Sequence, residues 1–156
     1  MHEESGVVDQ SRLMIPALAG VYRGLAPLSY AFMRVVVALM FLPVGIDKMF
    51  YGGAARVAAG NITQLGLTPP LAWGWAVAIV EFFGAILLAL GLFTRPVAFA
   101  LAVELTVIAF GIMAAKGFFW TAGGMEVALL MELATIAFIF GGGGRYSLDR
   151  LIGREF

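Results

Sequence analysis

Four long apolar stretches follow one another along this chain, and short polar or turn-forming segments separate them. They cover about residues 28–49, 71–92, 96–115 and 124–140. At about 1.5 Å of rise per residue, helices of these lengths cover most or all of a bilayer core of roughly 30 Å. The pattern therefore predicts an all-α fold, an integral membrane bundle of four transmembrane helices spanning residues 28–142.

The segments between the stretches contain residues that are typical of turns and of membrane interfaces. Pro69 and Pro70 precede the second stretch, where proline suits the first turn of a helix. Residues 91–96 form a tight loop between the second and third stretches, and residues 116–123 supply an aromatic belt of the kind found at membrane interfaces.

Two further segments are apolar but shorter than a span. Residues 13–22 lie between Arg12 and Arg23 within an N-terminal tail of residues 1–27, and they predict a short helix in the membrane interface. Residues 51–67 carry apolar side chains at helical spacing, which predicts a second interfacial or partly re-entrant helix in the first outer loop.

The last segment, residues 143–156, predicts a cytoplasmic tail with a short amphipathic helix. Ser147 is a favourable N-cap residue, and Asp149 falls in the first turn, where the helix dipole favours an acid. Leu148, Leu151 and Ile152 then lie on one side, which we expect to rest on the membrane surface.

Composition supports the membrane assignment. The 156 residues are 62% hydrophobic and 13% charged, with a mean hydropathy of +0.96, whereas soluble domains carry about 25% charged residues. The net charge of zero gives no argument for a nucleic-acid partner, so the expected partners are the bilayer and further protein subunits or copies of the chain.

The residue types that bind redox centres are scarce. The chain has no cysteine, and His2 is its only histidine, which argues against iron–sulfur clusters, haem and histidine-rich metal centres. We therefore expect no metal site and no covalently bound cofactor, and any electrons must travel on a diffusible carrier such as a quinone or on a partner subunit.

The distribution of lysine and arginine predicts the orientation. The tails and the 91–96 loop hold six of these residues, and the opposite side holds three. The six are Arg12, Arg23, Arg95, Arg145, Arg150 and Arg154, and the three are Lys48, Arg56 and Lys116. Cytoplasmic loops of membrane proteins carry an excess of lysine and arginine, so we expect a bacterial inner-membrane protein with both termini in the cytoplasm.

The apolar stretches contain seven charged residues, of which Asp47, near the end of the first stretch, is expected to be an interface anchor. The other six are the candidate functional residues, because a charge in hydrocarbon is costly unless it is paired, neutralised or facing a cavity. They are Arg34, Lys48, Glu81, Glu104, Glu126 and Glu132. Arg34 and Glu104 fall at similar estimated depths on opposed helices, which predicts an inner structural ion pair. The role of Glu132 is left open.

A second, outer group consists of Lys48, Glu81 and Glu126. Lys48 and Glu126 fall near the outer edge, and a lysine stem reaches far enough to contact the deeper Glu81. Glu81 shares a helical face with glycines that include Gly84. We expect these four residues to line one ligand cavity, with Glu81 and Glu126 as the proton acceptors.

Several short motifs, taken together, resemble the DoxX family of four-helix bacterial membrane proteins. In order they are Gly45-x-x-Lys48, Glu81-x-x-Gly84, the run from Leu90 to Arg95, Gly124-x-Glu126, and the run from Gly144 to Asp149. The family takes its name from a small subunit of a thiosulfate:quinone oxidoreductase. The resemblance therefore implies a role in a membrane oxidoreductase complex and marks Lys48, Glu81 and Glu126 as the polar residues that matter.

Three functions remain open from the sequence. The first is a quinone-interacting or proton-handling subunit of an oxidoreductase complex, at most a non-metal part of an enzyme. The second is a small-solute or proton-coupled carrier, in which the same acids line a pathway. The third is an assembly or stability subunit without chemistry of its own. Four helices are few for an alternating-access carrier, which favours the first.

Overall fold

A computed structural model of the protein describes residues 13–154, and this part of the chain is helical without a β-strand. The helices are α1 (Ala19–Phe50), α2 (Gly53–Val57), α3 (Pro70–Leu90), α4 (Thr94–Thr106), α5 (Glu126–Gly141) and α6 (Leu148–Ile152). The predicted all-α bundle is confirmed. The polar tail of residues 1–12, with His2 and Arg12, lies outside the described residues.

The N-terminal region differs from the prediction of a separate interfacial helix. A single 3-10 turn, Pro16–Leu18, leads directly into α1, which runs for 32 residues through Pro27 and Pro43. Pro16 supplies the fixed backbone angle that suits a helix start. Residues 19–27 therefore extend the first membrane helix instead of forming an element of their own.

Three helical segments of the described chain are long and apolar enough to cross a membrane, namely Pro16–Phe50, Pro70–Leu90 and Thr94–Lys116. The fourth predicted span corresponds to α5, which has 16 residues and a length of about 24 Å. It is therefore shorter than a typical bilayer core, although it packs along α4 within the bundle.

Two stretches of wide, π-helical turns interrupt the regular helices. The first π segment, Ala58–Ile62, continues α2, so the segment between α1 and α3 is helical as predicted. The second π segment, Val107–Met113, continues α4 before a 3-10 turn at Ala114–Lys116. Such turns are rare and occur frequently at functional sites.

The core lies where α1 packs along α3 and α4 packs along α5. Its larger side chains include Val37, Phe41, Leu88, Leu101, Leu105 and Phe138. Many large apolar side chains on the outer surface are exposed, among them Leu39, Ile79, Phe99 and Leu133. In a membrane protein this surface faces lipid.

Side chains at one end of the bundle join the C-terminal tail to the helices. Arg34 of α1 donates hydrogen bonds to the carbonyls of Gly143 and, at 2.7 Å, Tyr146. The Asp149 carboxylate accepts from the backbone N–H groups of Phe93 at 2.7 Å and Thr94 at 2.9 Å, at the start of α4. These contacts, together with a hydrogen bond from the Asp149 N–H to the Gly91 carbonyl at 2.9 Å, fix the tail against the middle of α1, the end of α3 and the start of α4.

The tail helix itself agrees with the sequence prediction. Ser147 precedes α6, and its hydroxyl accepts a hydrogen bond from the backbone N–H of Arg150 at 3.2 Å. This is the expected N-cap contact. Leu151 and Ile152 are exposed, as a helix resting on a membrane surface requires.

Candidate functional site

A close approach of two helices brings the central charged residues together. A Cβ atom on Gly45 of α1 would lie 2.6 Å from the backbone nitrogen of Phe82 in α3, so only glycine fits there. One turn further along α1, Lys48 reaches across this contact. Its Nζ donates to Oε1 of Glu81 at 2.5 Å, and both side chains are buried.

Glu104 of α4 completes this cluster. Its carboxyl group lies within electrostatic reach of both Glu81 and Lys48. The carboxyl groups of Glu104 and Glu81 lie within hydrogen-bonding reach of each other. Apart from this contact, neither oxygen of Glu104 nor Oε2 of Glu81 has a hydrogen-bond partner among the described residues. The charged cluster, defined here as Lys48, Glu81 and Glu104, therefore contains one ammonium group and two adjacent carboxyl groups.

The charged cluster borders an apolar cavity of about 240 Å³, the first cavity, enclosed by α1, α3, α4 and both π segments. Lys48, Glu104 and Asn61 are the polar side chains in its wall. Its apolar wall includes Ile62, Leu65, Trp73, Val80, Val103, Val107 and Ile112. A mainly apolar cavity with a few convergent polar groups is typical of a small-molecule site.

The first cavity reaches the outer surface of the bundle. Trp73, Val103 and Val107 line it and are also substantially exposed, although each belongs to a membrane-spanning segment. The wall of the first cavity is therefore continuous with the apolar surface of α3 and α4.

Glu81 also borders a second cavity of about 410 Å³ on the other side of the bundle. This cavity extends past Phe41 and Met131 to Trp120 and Gly124, next to the loop between α4 and α5. Ile108 of the second π segment lines both cavities. The charged cluster thus lies in the partition between two cavities, with Glu104 on one side and Glu81 on the other.

The predicted cavity of Lys48, Glu81, Gly84 and Glu126 is only partly formed. Lys48 and Glu81 meet as expected, but Glu126 lies at the start of α5 and accepts a hydrogen bond from the backbone N–H of Trp120 at 3.1 Å. Neither cavity beside the charged cluster includes Glu126 or Gly84. Gly84 instead faces Leu101 of α4, and a Cβ atom at this position would lie 3.5 Å from that side chain, an ordinary packing distance.

The predicted pair of Arg34 and Glu104 is wrong. Arg34 lies beside Gly91 at the end of α3, where its guanidinium group binds carbonyl oxygens of the tail. Glu104 lies ten residues beyond the start of α4, a distance of about 15 Å along the helix axis. Arg34 lies 15 residues beyond the start of α1 at Ala19, yet it is level with the end of α3, so the first part of α1 extends past the other helices.

Two acids can now be assigned contacts that the sequence left open. Glu132 of α5 accepts a hydrogen bond from the Thr106 hydroxyl of α4 at 2.7 Å, which makes it an interhelical contact. Glu104 replaces Glu126 as the third member of the central group. Its position in the middle of an apolar span was the available signal, but no pattern in the sequence favours Glu81 over Arg34 as its neighbour.

Comparison with known proteins agrees with this architecture. A sequence model of the DoxX family matches residues 29–114. An uncharacterized protein of Haemophilus influenzae is 41% identical over 126 residues, which cover 79% of this chain and 90% of the relative. An uncharacterized membrane protein of Mycobacterium tuberculosis is 30% identical over 139 residues, covering 83% and 84% respectively. No solved structure matches the chain significantly.

Proposed function

The chain belongs to the DoxX family of membrane proteins, and from that premise we propose that it is a quinone-binding, proton-handling subunit of a membrane oxidoreductase complex. The observation that carries the proposal is the first cavity, which is apolar, reaches the lipid-facing surface and ends at the charged cluster. A quinone has an apolar ring and tail, which match the cavity wall, and two polar oxygens, which match the charged cluster.

The cluster supplies the groups that such a ligand needs. An ammonium group has three donors, and Lys48 uses one of them on Glu81, so others remain for a quinone oxygen. Oxidation of a quinol releases two electrons and two protons. The adjacent carboxyl groups of Glu81 and Glu104 are positioned to accept the protons, and the electrons would pass to a partner subunit.

The second cavity supports a path for those protons. Glu81 borders it, whereas Glu104 borders the first cavity, so a proton accepted at Glu104 can pass to Glu81 and leave on the opposite side of the partition. The exit then lies beside Trp120 and Gly124, next to the loop between α4 and α5. In this proposal Glu126 has no direct part.

Tryptophan fluorescence tests the binding site. Trp73 lines the first cavity and Trp75 does not, yet their exposed fractions are similar, at 46% and 43%. We expect decyl-ubiquinone added to the protein in nanodiscs to quench a variant that retains only Trp73 in a saturable manner. A variant that retains only Trp75 should show quenching that rises linearly, because it reports only quinone dissolved in the lipid.

A cluster variant provides the control for specificity. Glu104→Gln removes a proton acceptor but keeps the shape of the side chain, so saturable quenching of Trp73 should remain while quinol-dependent turnover of the complex falls. Linear quenching of both tryptophans would contradict quinone binding. Combined with co-purification of a partner subunit, that result would favour the role in assembly.

A further inference from the structure

A third cavity, of about 430 Å³, lies at the end of the bundle where the tail is attached, away from the charged cluster. It is enclosed by α1, the end of α3 and the tail. Its lining consists of Ala31, Arg34, Val35, Ala89, Leu90, Arg145, Tyr146, Ser147, Leu148 and Leu151. No acidic side chain belongs to this lining, although two arginines do.

The two arginines have different surroundings. Arg34 is 2% exposed, its guanidinium group holds carbonyl oxygens of the tail, and its Nε has no hydrogen-bond partner among the described residues. Arg145 is exposed, and its guanidinium group lies 5.8 Å from the centre of the Tyr146 ring. The nearby Asp149 carboxylate is directed to the start of α4, where it accepts two backbone hydrogen bonds.

The opposite wall of the third cavity is apolar and continuous with the surface that faces lipid. Val35, Leu90 and Leu151 line it and are exposed, and Leu151 has the largest exposed fraction, at 82%. The cavity therefore has a cationic end at the tail and an apolar end along the membrane helices. This polarity matches an amphiphile that carries a negative charge next to a hydrocarbon chain.

We propose that the third cavity binds the phosphate group of an anionic lipid. Arg145 contacts the phosphate, because guanidinium groups bind phosphate oxygens with two parallel hydrogen bonds. Arg34 supplies a fixed positive charge behind it, and the acyl chain lies along Val35 and Leu90. Basic pockets between membrane helices bind lipid headgroups in this manner. The proposal does not depend on quinone binding, which concerns the other cavities.

Native mass spectrometry of the full chain, released from micelles of defined lipid composition, tests this site. Phosphatidylglycerol should remain bound, and phosphatidylcholine should not. Arg145→Gln should weaken retention of phosphatidylglycerol by about tenfold, the loss expected for one charge-assisted contact. Arg150→Gln is the matched control, since it removes the same charge from the same tail but does not line the cavity, and its effect should stay within about twofold.

Competition distinguishes a lipid headgroup from a free anion. Inorganic phosphate at millimolar concentration should leave the bound phosphatidylglycerol in place, because it cannot use the apolar wall. Displacement by inorganic phosphate would assign the cavity to a free anion and overturn the lipid assignment. Equal retention by the unaltered chain and Arg145→Gln, or equal retention of the two lipids, would overturn the site itself.

Discussion

The ion pair between Lys48 and Glu81 has a cost as well as a function. Both side chains are removed from water, and desolvation of two charges offsets much of their attraction. Loss of Lys48 leaves two buried carboxyl groups without a cation, and loss of Glu81 leaves Lys48 with Glu104 alone. Breaking a buried pair in this way costs about 3–5 kcal/mol. The pair therefore holds α1 against α3 only while both residues are present.

This asymmetry leads to a prediction for stability. Lys48→Met and Glu81→Leu should each lower the midpoint of unfolding in detergent, whereas the double variant should recover most of the loss. The exposed pair of Asp47 and Arg56, whose atoms are also 2.5 Å apart, is the control. Asp47→Ala should change stability by less than about 1 kcal/mol, because exposed pairs contribute little. Additive losses from Lys48→Met and Glu81→Leu would show that the pair does not act as a unit.

The sequence predicted part of the charged cluster. Lys48 and Glu81 were expected together, since both occur in apolar spans and a lysine stem can cover the difference in their depths. Glu104 was assigned to the wrong partner, because depth estimated from residue counts carries the error in where each helix begins. Glu126 was placed with Lys48 for the same reason, although the loop before α5 holds it instead.

At the scale of the elements, the tail shows what local patterns can and cannot predict. The N-cap at Ser147 involves residues three apart in sequence, so the cap was predictable. The contact of Asp149 with the start of α4 joins residues more than fifty positions apart. Sequence patterns placed Asp149 in its own helix and gave no sign that its carboxylate also caps another.

We expect this contact to hold the tail in place. Asp149→Ala removes the acceptor for two backbone N–H groups of α4 and should lower stability by about 1–3 kcal/mol. It should also speed trypsin cleavage after Arg145 and Arg150, because the released tail becomes accessible to the protease. The control is Asp47→Ala, which lies at an exposed site elsewhere and should leave the cleavage rate unchanged. Equal rates in the two variants would show that other contacts hold the tail.

The π segments could not be anticipated. Residues 107–113 read as the apolar continuation of one helix, and nothing in their hydrophobic pattern marks wider turns. In the structure both π segments line the first cavity, so they shift side chains of α2 and α4 relative to a regular helix. The depth and shape of the first cavity depend on this shift and therefore could not be predicted from the sequence.

At the scale of the whole molecule, the apolar stretches and the turn residues between them were enough to predict the bundle. α3 begins at Pro70 and ends at Leu90, within two residues of the predicted bounds. The largest departure is α1, which was predicted to begin at about residue 28 but begins at Ala19 and continues through Pro27. Neighbouring groups in membrane helices can compensate for the hydrogen bond that proline lacks.

Under the proposed function, the orientation in the membrane decides where protons leaving the second cavity would be released. The excess of arginine in the tails and the 91–96 loop predicts a cytoplasmic C-terminus and places the loop between α4 and α5 outside. Since the chain has no cysteine, a single introduced cysteine is the only thiol in the chain that a maleimide can label. Thr121→Cys should react with an impermeant maleimide in intact spheroplasts, and Gly153→Cys should react only after permeabilisation. Both residues are exposed, so access by the reagent depends on the side of the membrane alone. The reverse pattern would place the C-terminus outside and direct proton release from the second cavity to the cytoplasm.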